Sequence, residues 1–333
     1  MRSPKSFDVG RRALLGTGVA MLGLAMPRLA RAAFPDRPVR LIIPYGPGGQ
    51  TDIVSRLIGE AMGQRLGQPV LADNRPGAAG NLAAEMTARS PTDGYTIMVG
   101  STGALGGVNA ALYKNLGYDW QQDFAPIGLF CTTPNVILVN TTAIPVNSLT
   151  EFIEFVSTRP GQLNFASSGI GATTHLSMEL LLERAKLSMV HVPYRQSTQG
   201  MTDLLAGRVQ ARCLGLPEAE PVKTDSRVRA IAVTSAARSP NWPDVPAVAE
   251  TLPNFVGANE FGLAAPAGTS AEIINRFNAA LNEALVDPAV KAGFQRVGAE
   301  AVAPNSPDTF SGYVRQRGAT WTALIQRLGL SAE

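Results

Sequence analysis

RPVRLIIPYGPGGQTDIVSRLIGEAMGQRL, residues 37–66, is the stretch whose reading decides the fold. Val39–Ile43, aliphatic except for Arg40, reads as a short buried strand. Tyr45–Thr51 is a glycine-rich loop, and from Asp52 onward Ile53, Leu57 and Met62 recur at helical spacing. The unit is strand, loop, helix. PVLADNRPGAAGNLAAEMTAR (69–89) repeats it, with a strand predicted at Val70–Ala72 and a helix running through Ala88. YTIMVGSTGA (95–104) is a further strand ending in small residues. Such units favour a parallel sheet with helices on both faces, and ligands collect outside the carboxyl ends of its strands.

After a mixed stretch, LGYDWQQDFAPIGLFCTTPNVILVN (116–140), a new strand is expected around Ile137–Val139. The pattern then restarts in LNFASSGIGATTHLSMELLLERA (163–185), MVHVPYRQSTQGMTDLLAG (189–207), VQARCLG (209–215) and RAIAVTS (229–235). PNFVGANEFGLAAPAG (253–268) reads as another strand region, followed by long helical patterns over 270–286 and 307–328. Thr269 or Ser270 is placed to cap the first of these helices, with Pro288 just past its end. The order fits an α/β protein of two similar lobes, the last helices returning to the first lobe.

The N-terminus reads as an export signal. Arg11 and Arg12 precede an apolar run from Ala13 to Met26, and Ala30-Arg31-Ala32 supplies a small-residue cleavage site. The arginine pair fits either twin-arginine or general export. The apolar run is short for a membrane span. Residues 1–32 hold six basic groups and one acidic group, so their removal near Ala32 takes the formal charge from +3 to −2. The basic isoelectric point therefore belongs to the signal, and the mature chain has no global attraction for nucleic acid or anionic membranes. Cys131 and Cys213 leave a disulfide open in an oxidising compartment, and two histidines far apart in sequence offer little to zinc.

YGPGGQTD, DNRPGAAG, GYDWQQDFAPIG, FASSGIGATTHLSMELL, VPYRQ, RSPNWPDVPAVAE and GLAAPAGTS occur in the order found in Bug-type solute receptors, which this chain resembles across nearly all of its mature length. These receptors are the extracytoplasmic subunits of tripartite tricarboxylate transporters. The resemblance implies a type II periplasmic binding protein fold, two α/β lobes joined by two crossover segments with a ligand cleft between them. It implies lobe 1 at 33–135 plus 258–333 and lobe 2 at 136–257, with crossovers near 131–136 and 255–263. It also implies a monomeric periplasmic binder without catalysis or cofactor, which hands a small organic carboxylate to membrane transporter subunits. The carboxylate classes it implies are dicarboxylates, tricarboxylates, acidic amino acids and aromatic acids. The chain departs from the family pattern at Gln196, where glycine is usual, at Asn259-Glu260-Phe261, where tryptophan is common, and at Arg212-Cys213, where Met-Phe is frequent.

The candidate ligand contacts fall on the loops. In the second lobe Ser167, Ser168, Gly169, Gly171 and Thr173 combine hydroxyl donors with a turning backbone beside a helix N-terminus, which suits a carboxylate. Thr173 or Thr174 is expected to cap that helix near His175, a packing residue. In the first lobe Tyr45, Gly48, Gly49 and Thr51 form the matching device, with Asp52 expected to turn away from an anion. Ser101 and Thr102 follow the third strand as donors or as a helix cap. Tyr194 can pack on the ligand skeleton, and Arg195 can pair with a second carboxylate or stay out of contact. Competing readings are a sensory or scavenging binder and a periplasmic hydrolase using Ser168 with His175. The hydrolase reading lacks the G-x-S-x-G frame and an acid placed to orient the histidine.

Overall fold

The computed structural model describes residues 34–194 and 196–332, together with Met1 and Ser3. The export-signal expectation therefore rests on residues outside those described. The chain divides into Met1–Phe34 and a compact unit, Pro35–Glu333, which carries every element named here. In chain order these are β1 (Val39–Ile43), α1 (Gln50–Leu66), β2 (Val70–Asn74), α2 (Asn81–Ala88), β3 (Thr96–Gly100), α3 (Thr102–Leu105), α4 (Val108–Leu112), β4 (Phe124–Thr133), β5 (Asn135–Asn140) and α5 (Leu149–Ser157). There follow β6 (Asn164–Ser167), α6 (Thr173–Ala185), β7 (Val190–Pro193), α7 (Ser197–Leu205), β8 (Ala211–Gly215), α8 (Leu216–Ala219), β9 (Val228–Val233) and α9 (Val248–Thr251). The chain closes with β10 (Asn259–Pro266), α10 (Ala271–Val286), α11 (Pro288–Arg296), β11 (Glu300–Ala301) and α12 (Pro307–Leu328).

The strands form two sheets, ordered β11-β4-β10-β3-β1-β2 and β7-β6-β8-β5-β9. β1 pairs in parallel with β2 and β3, and β6 with β7 and β8, as strand–loop–helix units require. The sheets are nevertheless mixed. β10 runs antiparallel to both β3 and β4, and β5 antiparallel to both β8 and β9. The cause is local: β4 leads into β5 with Pro134 alone between them, so the chain passes from one sheet to the other without a crossover helix. β1 lies between β3 and β2, and all of it except Arg40 is buried, which explains its otherwise aliphatic sequence. Ser270 caps α10 by accepting the Ile273 amide, while Pro288 opens α11 behind the Asp287 cap. α10 and α12 both pack on β4, and so return to the first sheet.

The two passages between the sheets are tied together in the interior. Asn135 Nδ2 donates to Gly257 O at 2.8 Å and to Ser177 Oγ at 3.2 Å, and Asn135 Oδ1 accepts from Asn259 Nδ2 at 2.7 Å. Thr234 Oγ1 donates to Gly257 O at 2.8 Å and lies 2.9 Å from the Asn135 amide that donates to it. Asn135→Ala leaves buried partners unsatisfied and is expected to cost about 1–2 kcal/mol, read from the urea midpoint. Beyond this knot the lobes also meet over a buried apolar seam, in which Leu176 of α6 packs with Val108 and Leu112 of α4 and with Trp321, Leu324 and Ile325 of α12. Cys131 and Cys213 are buried free thiols on β4 and β8, in different sheets.

Candidate functional site

At the first-lobe rim, the chain leaves β1 through Pro44 and turns at Gly48, whose φ of 77° belongs to the left-handed region. Gly49 then precedes α1 in extended conformation with no side-chain cap. Asp52 braces this turn from behind. Its Oδ2 accepts the Gly48 amide at 3.0 Å, and its Oδ1 accepts from Arg56 Nε and Asn74 Nδ2, each at 2.9 Å. Burial alone would raise the Asp52 carboxyl, but these donors and the Arg56 charge hold it below the usual range. The first amide of α1, Gln50 N, donates at 3.0 Å to Glu218 Oε1, which comes from α8 beside the other sheet.

At the second-lobe rim, β6 ends at Ser167 and residues 168–172 lead into α6, turning at Gly169 (φ 123°) and Gly171 (φ 80°). α6 begins at Thr173 with Ala172 as its cap residue, so neither threonine is the cap the sequence led us to expect. Starting the helix two residues before His175 puts both threonines in its first turn, where Thr174 Oγ1 instead accepts the Ser168 amide at 3.1 Å. First-turn amides have no carbonyl within the helix to bond, and those of Thr173 and Thr174 have no partner among the described residues. Ser168 Oγ is likewise buried without a hydrogen-bond partner among them.

Both histidines lie beneath this loop, their rings stacked with centroids 3.9 Å apart. His175 Nδ1 accepts the Gly171 amide at 3.2 Å, which places the ring proton on Nε2, 3.4 Å from Glu179 Oε1. His191 Nε2 lies 2.6 Å from Ser167 Oγ and its ring stacks on Phe165. Burial first, and the adjacent His175 second, push His191 down to about 3. The Ser167–His191 pair has nucleophile–base spacing, but Ser167 is fully buried and stands outside the cavity wall. Ser168 has neither histidine as a partner.

The two rims border a cavity of about 40 Å3 with an open mouth. Of the residues expected at the ligand, Tyr45, Gly49, Thr51, Ser101, Ser168, Gly171, Thr173 and Tyr194 line it. Gly48, Ser167 and Gly169 stand back from the wall, because Asp52 ties down the Gly48 amide and Ser167 Oγ accepts the Gly169 amide at 3.1 Å. Thr102 opens α3, its side chain outside the described set, and Arg195 is not among the described residues. The wall also contains Gly46, Gln50, Gly103, Ala172, Thr174, Glu218, Asn259 and Phe261, none of which was among the expected ligand contacts. Tyr45 and Tyr194 are both pushed up to about 12, by burial first in each case, and therefore stay neutral. Tyr194 is steadied by donating to Asp203 Oδ2 at 2.8 Å.

Two mixed sheets flanked by helices, joined at two tied passages with a cavity between their strand ends, define a two-lobe solute-binding protein. The family model described as tripartite tricarboxylate transporter family receptor matches residues 54–330, and the chain belongs to that family. Among solved structures it is similar to R. palustris Rpa4515 with adipate, at TM-score 0.85 and 33% identity over 90% of this chain and 99% of that one. It is also similar to the periplasmic binding protein BugD, at TM-score 0.83 and 31% identity over 90% of this chain and 99% of that one. MatC from Rhodopseudomonas palustris with bound malate gives TM-score 0.81 and 32% identity, covering 88% of this chain and 100% of that one. The type II periplasmic binding protein fold and the Bug resemblance read from the motifs are thus borne out.

Proposed function

We propose that the cavity captures a small organic carboxylate and that the chain delivers it, in the periplasm, to the integral membrane subunits of a tripartite tricarboxylate-type transporter. Export through residues 1–32 with cleavage near Ala32 is part of this reading. So is a lobe division at 33–135 plus 258–333 and 136–257. The observation that carries it is the α6 rim: unpartnered Thr173 and Thr174 amides beside the buried, unpartnered Ser168 hydroxyl. Neutral donors at a helix N-terminus suit a carboxylate, and hydrogen bonds to a charged acceptor are stronger than average. The adipate and malate held by the two R. palustris relatives support the same class. Both rims contribute to one cavity, so a ligand bonded to both favours the lobes' approach. The role proposed is binding without turnover.

A thermal-shift screen of the purified protein tests this. Mono-, di- and tricarboxylates, acidic amino acids and aromatic acids are run beside sugars and polyamines. At least one acid is expected to raise the melting temperature by several degrees at millimolar concentration, about 2–3 kcal/mol at a hundredfold excess over Kd. Stabilisation by a sugar or a polyamine, with none by any acid, removes the carboxylate reading.

A further inference from the structure

We propose that Glu218 sets the ligand class of this cleft: a carboxylate whose remote polar group is a hydrogen-bond donor, an ammonium above all, in preference to a second carboxylate. The inference rests on the carboxylate reading and narrows it.

Glu218 is built into the cavity wall from both lobes. Its side chain is 5% exposed, and Oε2 accepts from Arg212 Nη2 of β8 at 3.1 Å, a guanidinium that is itself 0% exposed. Oε1 accepts the Gln50 amide at the start of α1, across the cleft, at 3.0 Å. Glu218 is the one acidic or basic side chain among the described residues of the wall. The cavity is therefore asymmetric. The α6 rim presents unpartnered donors, Ser168 Oγ and the Thr173 and Thr174 amides. At the α1 rim, the anion position beside the first helix amide is already taken by the protein's own carboxylate.

A ligand carboxylate bound at the α6 rim leaves the ligand's other end to meet Glu218. A second carboxylate there has two choices. It can lie beside Glu218, where like charges repel. Or it can displace Glu218 from the Gln50 amide, which pulls the partner of a fully buried Arg212 away from it. An ammonium, amide or hydroxyl instead presents a donor to the Glu218 carboxylate, and an ammonium makes a charge-assisted bond. The departure at Arg212 thus gains a role: it holds the acceptor in place.

Isothermal titration with matched pairs tests this: 4-aminobutyrate against succinate, 5-aminopentanoate against glutarate, and 6-aminohexanoate against adipate. At the best-fitting length the amino acid is expected to bind about tenfold tighter than its diacid, or more. Glu218→Gln is expected to erase that ratio. Because this substitution leaves Arg212 without its carboxylate, the double variant Glu218→Gln with Arg212→Met is titrated in parallel, and it is expected to fold and to lose the same ratio. Tighter binding of the diacid at every length overturns the inference, as does a ratio that Glu218→Gln leaves within about twofold. Binding of any plain mono- or dicarboxylate with none of the amino acids overturns it too, while leaving the carboxylate reading standing. Binding of no acid at all, with a sugar or polyamine bound instead, removes both.

Discussion

Gly171→Val abolishes the melting-temperature response to whichever acid stabilises the unsubstituted protein. Gly171 sits at φ 80°, where a β-branched side chain is strained by at least about 1–2 kcal/mol. A Cβ there also collides with Leu112 Cδ1 of the other lobe. Leu112 is 2% exposed and wedged among Trp321, Leu324 and Ile325, so it has little room to yield. The added methyls therefore push the 168–172 loop off α4 and weaken the Gly171 amide bond to His175 Nδ1. Affinity is expected to fall by about a hundredfold or more, roughly 3 kcal/mol, because both the donor geometry and the approach of the lobes are lost. The loop lies on a rim, so the unfolding midpoint without ligand should move far less. A full ligand shift in Gly171→Val would mean that the acid binds elsewhere.

The second large effect is acid destabilisation through His191. Its folded imidazole titrates near 3, against about 6.5 for an unperturbed histidine. Between these values the unfolded chain binds a proton that the folded protein excludes. Stability from this group is therefore complete above pH 6.5, falls as pH drops through the window, and stops falling below about pH 3. The slope is at most about 1.4 kcal/mol per pH unit, so roughly 2 kcal/mol is lost between pH 6.5 and 5. His191→Phe keeps an aromatic ring to stack between Phe165 and His175, while Ser167 retains its bonds with Gly169. Urea unfolding at pH 7 and pH 5 should show the wild-type loss shrink to a fraction in this variant. Equal losses in both proteins would show that another group is responsible.

The parts of the fold legible in the sequence are those fixed by local physics. β1 spans Val39–Ile43 as read, because its four aliphatic residues are buried between neighbouring strands, while Arg40 alone is partly exposed and pairs with Asp73. Ser270 caps α10 as read. The mixed character of the sheets was hidden because nothing within β4, β5 or β10 states which neighbour each pairs with, or in which direction. At the site, the expectation followed strand-to-helix loops and so reached Thr51, Ser101 and Ser168. Asn259 and Phe261 lie at the beginning of a strand, and Glu218 in a one-turn helix, where no loop motif announces them. A signal for Glu218 did exist. Arg212 stands inside an otherwise apolar strand, and a buried guanidinium needs an acid. Glu218, six positions along the chain, supplies it.

The seam around Leu176 and Trp321 has a consequence for strength of uptake as distinct from choice of cargo. It excludes water where the halves meet, so under the proposed closure it biases the resting balance between shut and gaping molecules before any solute arrives. Apparent dissociation constants scale inversely with the competent fraction. Trimming the seam should therefore weaken every solute by one common factor and leave their ranking unchanged. On the proposed reading, avidity and discrimination then rest on separate residues, so a lineage could retune one while the other stays put.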